Sequence, residues 1–262
     1  MLINVLFYTL IPVAAILLGG VIAALRPPGA RLRSAVQHFA AGIVFAAIAL
    51  ELLPEIKDER EPLAAVFGFA LGIGLMLGIK TFVGKSGENA ESAAGENGGE
   101  SSAKAARLPA SAQPTPQNKQ PTSLLITLGV DIVVDGLLIG IGFAAGAKQG
   151  VMLTVALTIE ALFLGLSGAV ALAQVGATRL KIMGATAGFG VLLAIGAVVG
   201  AVLLGNLTGA AKEIVLSFGA AALLYLVTEE LLVEAHEEPE TPTLTAMFFV
   251  GFVVLLVVEM IA

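Results

Sequence analysis

Two aspartates stand one helical turn apart in Gly129-Val-Asp-Ile-Val-Val-Asp-Gly136, inside an apolar run that holds no cation. Spaced four residues apart, Asp131 and Asp135 share one face of a helix. A third acid, Glu160, lies in the next apolar run, in Thr158-Ile-Glu160-Ala-Leu-Phe-Leu-Gly165. An acid at the centre of a bilayer costs about 2.5–3.5 kcal/mol on insertion scales and needs a partner or water. No Lys, Arg or His lies at comparable depth in these runs, so a salt bridge is not the expected solution. Two chemistries remain: neutral carboxyls bonded to one another, or carboxylates that together hold a cation. Three acids on adjacent helices suit the cation better.

The elements that must position these acids follow from hydropathy. Hydrophobic residues make up 57% of the 262 and charged residues 13%, and the mean hydropathy is +0.96. A soluble domain is about half apolar and a quarter charged. Runs of about 20 apolar residues cross a ~30 Å hydrocarbon core. Eight such runs occur, at 4–25, 35–53, 62–83, 122–146, 150–173, 182–206, 213–234 and 241–262. The expected fold is therefore all-α, a polytopic membrane protein of eight transmembrane helices. Residues 1–83 carry helices one to three and 122–262 carry helices four to eight. Between them, 84–121 is rich in Gly, Ser, Ala, Asn, Gln and Pro and is expected to be a disordered cytoplasmic loop. The first run is not read as a signal peptide, since no positive charge precedes it and Arg26, Arg31 and Arg33 follow.

With both termini outside, only Lys57, Arg60, Lys148 and Lys212 of the 14 Lys and Arg residues fall outside, and the rest face the cytoplasm. Helix four then runs outward from about 122 and helix five inward from about 150. At 1.5 Å per residue Asp131 and Glu160 both lie roughly 15 Å deep, near the midplane. Cysteine is absent and only two histidines occur, so disulfides, thiolate sites and imidazole-rich sites are excluded. Any metal must be held mainly by oxygen. No Gly-rich phosphate loop is present, and neither an enzyme activity, a resident cofactor nor a nucleic-acid partner is expected. The net charge of -6 sits largely in loops and at helix ends and says little about partners.

The chain echoes itself. Phe39–Glu55 (FAAGIVFAAIALELLPE) and Phe218–Glu234 (FGAAALLYLVTEELLVE) share Phe at the start and Glu-Leu-Leu-x-Glu at the same offset. Running in opposite directions through the membrane, they suggest an inverted repeat of helices 1–3 and 6–8 around central helices 4 and 5, a transporter trait. Glu51 and Glu55 on helix two, and Glu229, Glu230 and Glu234 on helix seven, are candidate pathway acids, or interfacial acids reaching water. His236, with Glu234, Glu237, Glu238 and Glu240, could collect cations at the cytoplasmic mouth, although an acidic run is more often a solvated loop. His38 reads as an interfacial histidine and Glu259 as an acid reaching the outer surface. Thr154 and Thr158 either add a hydroxyl ligand or bond their own helix, and 57–61 reads as a turn.

Asp131-Ile-Val-Val-Asp135-Gly136 resembles the His-Asn-x-Pro-Glu-Gly signature of the ZIP metal transporters, with Asp in place of both the His and the Glu. Thr158–Gly165 resembles the second such helix of that family, with Glu160 at its His and Leu164 at its Glu. Thr228-Glu-Glu-Leu-Leu-Val-Glu-Ala-His236 resembles the seventh helix of bacterial members, and Glu51-Leu-Leu-Pro-Glu55 the end of the second. The signature prolines are replaced by Val134 and Phe163, helix six lacks an acid, and 84–121 has no histidine. The resemblance implies a divalent metal transporter with one degenerate site at Asp131, Asp135 and Glu160, in the cell (inner) membrane of a prokaryote. It pulls toward zinc, whereas an all-carboxylate donor set favours harder ions such as Mn²⁺, Fe²⁺, Mg²⁺ or Ca²⁺. Zn, Mn and Fe thus stay open as cargo for import into the cytoplasm, and a homodimer is compatible with the pattern. An exporter, a carrier of protons or another solute, and a non-transporting membrane sensor stay open as well.

Overall fold

The computed structural model describes residues 2–25, 29–95, 121–205 and 207–261. Among them, eight helices contain spans long and apolar enough to cross a membrane. They are α1 (Leu2–Leu25), α2 (Ala30–Glu59), α3 (Pro62–Gly95), α4 (Pro121–Ala145), α5 (Ala147–Gln174), α6 (Arg179–Leu204), α7 (Ala210–Ala235) and α8 (Pro242–Ile261). No strand occurs among the described residues.

Two boundaries differ from the sequence reading. The segment 57–61 is not a turn: α2 continues through Glu59 and ends where Arg60 turns left-handed at φ 58°. Lys, Asp and Glu extend a helix readily once its apolar part has nucleated it, and the break falls just before Pro62, which opens α3. Likewise α3 runs on to Gly95, twelve residues past 83, so 84–95 continue the helix instead of joining a loop. Ala and Glu in that stretch are good helix formers. The remainder of the expected loop, 96–120, lies outside the described residues.

The packing puts α4, α5 and α7 inside and α3 and α8 at the edge. In the apolar windows of α4 and α5, 67% and 61% of residues are buried, against 17% for α3 and for α8. α1 packs on α5 and α6, and α4 on α6 and α5; α3 lies along α7, and α8 along α2. Glycine makes these approaches close. A Cβ on Gly136 would stand 2.2 Å from the Leu193 carbonyl oxygen, and one on Gly165 2.2 Å from that of Ile16. Only a residue without a side chain lets two helix backbones meet at that distance.

The close approaches recur at fixed offsets. Gly72 meets the carbonyl of Phe218, and Gly251, 179 residues later, meets that of Phe39, which is 179 residues before Phe218. At a different spacing, Gly19 faces the Leu162 carbonyl as Gly196, 177 residues later, faces that of Val133, 29 residues before Leu162. The same 179-residue offset relates two π turns, Ile48–Leu52 in α2 and Val227–Leu231 in α7. A π turn widens a helix by one residue and is frequent at functional positions. Proline is not its cause, because Pro54 follows the first turn and Val233 occupies the matching place after the second. Both turns carry a glutamate at the same position, Glu51 and Glu230.

Candidate functional site

Helix periodicity and burial together bring the central acids inward. Asp131 and Asp135 occupy the inner face of α4, where they are 5% and 0% exposed, and Glu160 on α5 is 2% exposed. Neither carboxyl oxygen of Asp135 has a hydrogen-bond partner among the described residues, and Oε2 of Glu160 has none either. A polar group buried without a partner is destabilising by about 1–3 kcal/mol, and more when charged, so such atoms mark a place built for something other than stability.

The second π turn adds to this group. Glu230 of α7 lies in that turn, half-buried, within electrostatic reach of the central acids: Glu160 feels the charges of Asp135, Glu230, Asp131 and Glu234, and Asp131 those of Glu230, Asp135 and Glu234. Five carboxyls from three helices thus share one electrostatic neighbourhood. Among the described residues, no three His, Cys, Asp or Glu side chains are drawn tightly enough together to hold an ion as they stand. Carboxylates in such proximity repel. A cation that brought them together would offset that repulsion with strong oxygen coordination.

The remaining acids lie elsewhere. Glu229, next to Glu230, faces outward and accepts a 2.9 Å hydrogen bond from Lys80 Nζ on α3, which also sits 5.8 Å from the Tyr225 ring. Glu51 is buried at 5% exposure with Oε1 unpartnered, yet its charged neighbours are Lys148, Glu259 and Glu55 rather than the α4 and α5 acids. An interfacial acid reaching water does not describe it. Glu55 shares the Lys212 ammonium with Glu59, each at 2.6 Å, and faces Gln149 at 3.5 Å. Glu259 pairs with Lys148 at 2.7 Å.

At the opposite end of the α2–α7 pair, Gln37 donates to Glu234 and Ser34 Oγ donates to the Ala235 carbonyl at 2.7 Å. His38 is buried rather than interfacial, with Nδ1 2.9 Å from the Ser34 carbonyl. Its ring lies edge-on to that of His236, 5.2 Å between centroids, and His236 in turn reaches Glu240 at 3.0 Å. Thr154 and Thr158 bond the carbonyls of Gly150 and Thr154 in their own helix.

Sequence reasoning missed Ser34, Gln37, Lys80 and Lys212. Ser34, Gln37 and His38 fall at i, i+3 and i+4, one polar stripe on an otherwise apolar helix, and that spacing was the available signal. Nothing in the sequence pairs Lys212 with Glu55 and Glu59, because the contact joins positions some 150 residues apart.

A family model described as ZIP Zinc transporter matches residues 83–259, more than half of the chain. The matched stretch includes Asp131, Asp135, Glu160, Glu230 and Glu234, whereas Glu51 and Glu55 precede it. No curated relative matches the chain. With helices of the right kind and a family model spanning most of them, the chain belongs to the ZIP zinc transporter family.

Proposed function

We propose that this divalent metal-ion transporter carries Zn²⁺, Mn²⁺ or Fe²⁺ into the cytoplasm through a carboxylate site formed by Asp131, Asp135 and Glu160, with Glu230 completing it. The observation that carries the reading is Asp135: fully buried, with both oxygens unpartnered, beside Glu230 and Glu160. All donors in the group are oxygens, which suits hard and borderline divalent ions. Glu234 and His236 stand at one end of α7, and Glu51 and Glu55 lie toward the opposite end of the α2–α7 pair, as stations on the way in and out. Repeated contacts at the 179-residue offset support an inverted repeat of helices 1–3 and 6–8. The excess of Lys and Arg on one side supports both termini outside, with the exposed apolar faces of α3 and α8 turned to lipid.

Import needs neither ATP nor a cofactor. A divalent cation gains about 4.6 kcal/mol from an interior-negative potential of about 100 mV. The test is uptake by proteoliposomes holding a potassium-diffusion potential, across Zn²⁺, Mn²⁺, Fe²⁺, Mg²⁺ and Ca²⁺. Accumulation of at least one of Zn²⁺, Mn²⁺ and Fe²⁺ that rises with interior-negative potential is expected. Movement of protons alone, or of none of these ions, would contradict the proposal.

A further inference from the structure

Tyr225 of α7 buries a hydroxyl that lacks an acceptor. The residue is 8% exposed, and its oxygen has no hydrogen-bond partner among the described residues. A buried tyrosine O–H ordinarily finds an acceptor, because leaving it without one is destabilising. The charges that reach Tyr225 are those of Lys80, Glu230 and Glu229. Lys80 sits 5.8 Å from the ring centroid and donates to Glu229 at 2.9 Å. An ammonium donates and never accepts, so it cannot take the phenolic proton. Of the two carboxylates, Glu229 is already engaged and its side chain is 48% exposed. That leaves Glu230.

The π turn brings this pair toward a common face. Tyr225 and Glu230 are five residues apart, and in an α-helix residues four apart are neighbours on one face. The turn at Val227–Leu231 takes up one extra residue, and the Leu232 N–H accordingly reaches back five residues to the Val227 carbonyl. Glu230 is thereby set back toward the face that Tyr225 occupies. The matching turn in α2 has no such neighbour. At the 179-residue offset Glu51 corresponds to Glu230, and Ala46 to Tyr225. A hydroxyl thus accompanies only the π-turn glutamate that shares the electrostatic neighbourhood of Asp131 and Glu160.

We propose that Tyr225 is a positioning residue for the metal site: when a divalent cation engages one oxygen of Glu230, the Tyr225 hydroxyl donates to the other and fixes the carboxylate. The bond supplies the acceptor that the hydroxyl lacks in this structure and restricts Glu230 to one orientation. Groups that hold a ligand in place matter nearly as much as the ligand, and their loss lowers metal affinity by about 10–100-fold. A phenol is neutral, so it supports the carboxylate without the repulsion that an ammonium in its place would exert on the cation. This rests on the metal-ion reading above, with Glu230 in the site.

Binding of Zn²⁺, Mn²⁺ and, without oxygen, Fe²⁺ is measured in detergent on the full-length parent, Tyr225→Phe, Glu230→Gln and the double variant. Tyr225→Phe removes one oxygen and keeps the ring. It is expected to weaken binding of the ions that the parent takes by about tenfold or more. The metal-free melting temperature should stay unchanged or rise, since an unpartnered polar atom is gone. In the Glu230→Gln background the same change should weaken binding by no more than about twofold, because groups that act together are not additive. Spectroscopy reads the bond itself. The chain has two tyrosines and no tryptophan, so Tyr8→Phe leaves Tyr225 as its only phenol. Adding the ion should shift the tyrosine absorption of Tyr8→Phe to longer wavelength, as donation to a carboxylate does, and Glu230→Gln should abolish that shift. Parent affinity in Tyr225→Phe, an equal loss with and without Glu230, or no metal-dependent shift in Tyr8→Phe would each overturn the inference while the metal reading stands. The last of these decides alone if Tyr225→Phe does not fold. If the parent binds none of the three ions, the metal reading fails and the role of Tyr225 fails with it.

Discussion

The two π turns differ less in sequence than in what surrounds them. Both carry Glu-Leu-Leu-x-Glu, both interrupt a long apolar helix, and both bury their first glutamate partly or wholly. Yet Glu230 joins Asp131, Asp135 and Glu160, while Glu51 looks toward Lys148, Glu259 and Glu55. The neighbouring contacts differ as well: Lys212 pairs with Glu55 and Glu59 at one end of the α2–α7 pair, and at the other end Gln37 donates to Glu234, Ser34 donates to the Ala235 carbonyl, and the His38 and His236 rings meet edge-on. Local sequence sets the shape of the turn, and tertiary partners set what its acid does. Ion pairs thus join α2 and α7 at one end, and hydrogen bonds and a ring contact join them at the other.

The comparison can be broken most severely at the central acids. Asp135→Asn or Glu160→Gln should lower metal uptake by at least about tenfold without loss of folded protein, because each removes a charge that a cation would need. Uptake at the parent rate from either variant would remove that residue from the site. Next in size is the scaffold beneath the Glu230 side. Gly136→Val forces a side chain against the Leu193 backbone and should destabilise α4–α6 packing by about 1–3 kcal/mol, read as a lower melting temperature in detergent. An unchanged melting temperature would mean the helices part at little cost.

Smaller effects sharpen the contrast between the two ends of the α2–α7 pair. Lys212→Gln breaks two ion pairs whose members are one-fifth to one-quarter exposed, and each such pair contributes about 0.2–1 kcal/mol. Thiol labelling of a Glu59→Cys variant should then speed up, whereas labelling at Arg33→Cys should not. Lys80, with its side chain 58% exposed, is the cation Glu230 feels. Lys80→Met should alter metal affinity by about twofold or less, because water and salt screen an exposed charge. Deleting residues 96–115, which contain neither His nor Cys, should leave uptake unchanged.

Much of this was legible in the residues. Eight spans, the central acids and the ZIP resemblance follow from hydropathy, from the four-residue spacing of Asp131 and Asp135, and from the motif around Gly136. The helix ends at Glu59 and Gly95 were not, because charged residues extend a helix as readily as they form a turn. Glu230 could be listed as a pathway acid but not brought near Asp131, since the packing of α7 on α4 joins positions about 100 residues apart. Burial of Glu51 and His38 was invisible for a similar reason. Residues near the end of an apolar run look interfacial until the partner helix that covers them is known.

The central claim is that the buried carboxylates exist to hold a divalent cation, and metal-dependent stability tests it most directly. A ligand bound by the folded state alone stabilises it by about 2.7 kcal/mol at a hundred times its Kd. The melting temperature in detergent should therefore rise with at least one of Zn²⁺, Mn²⁺ and Fe²⁺, more at neutral than at acidic pH because a carboxylate must lose its proton to bind metal. The Asp131→Asn plus Asp135→Asn variant should fold and lose that rise. A melting temperature that none of these ions moves at either pH, or a rise of equal size in the double variant, would contradict the account.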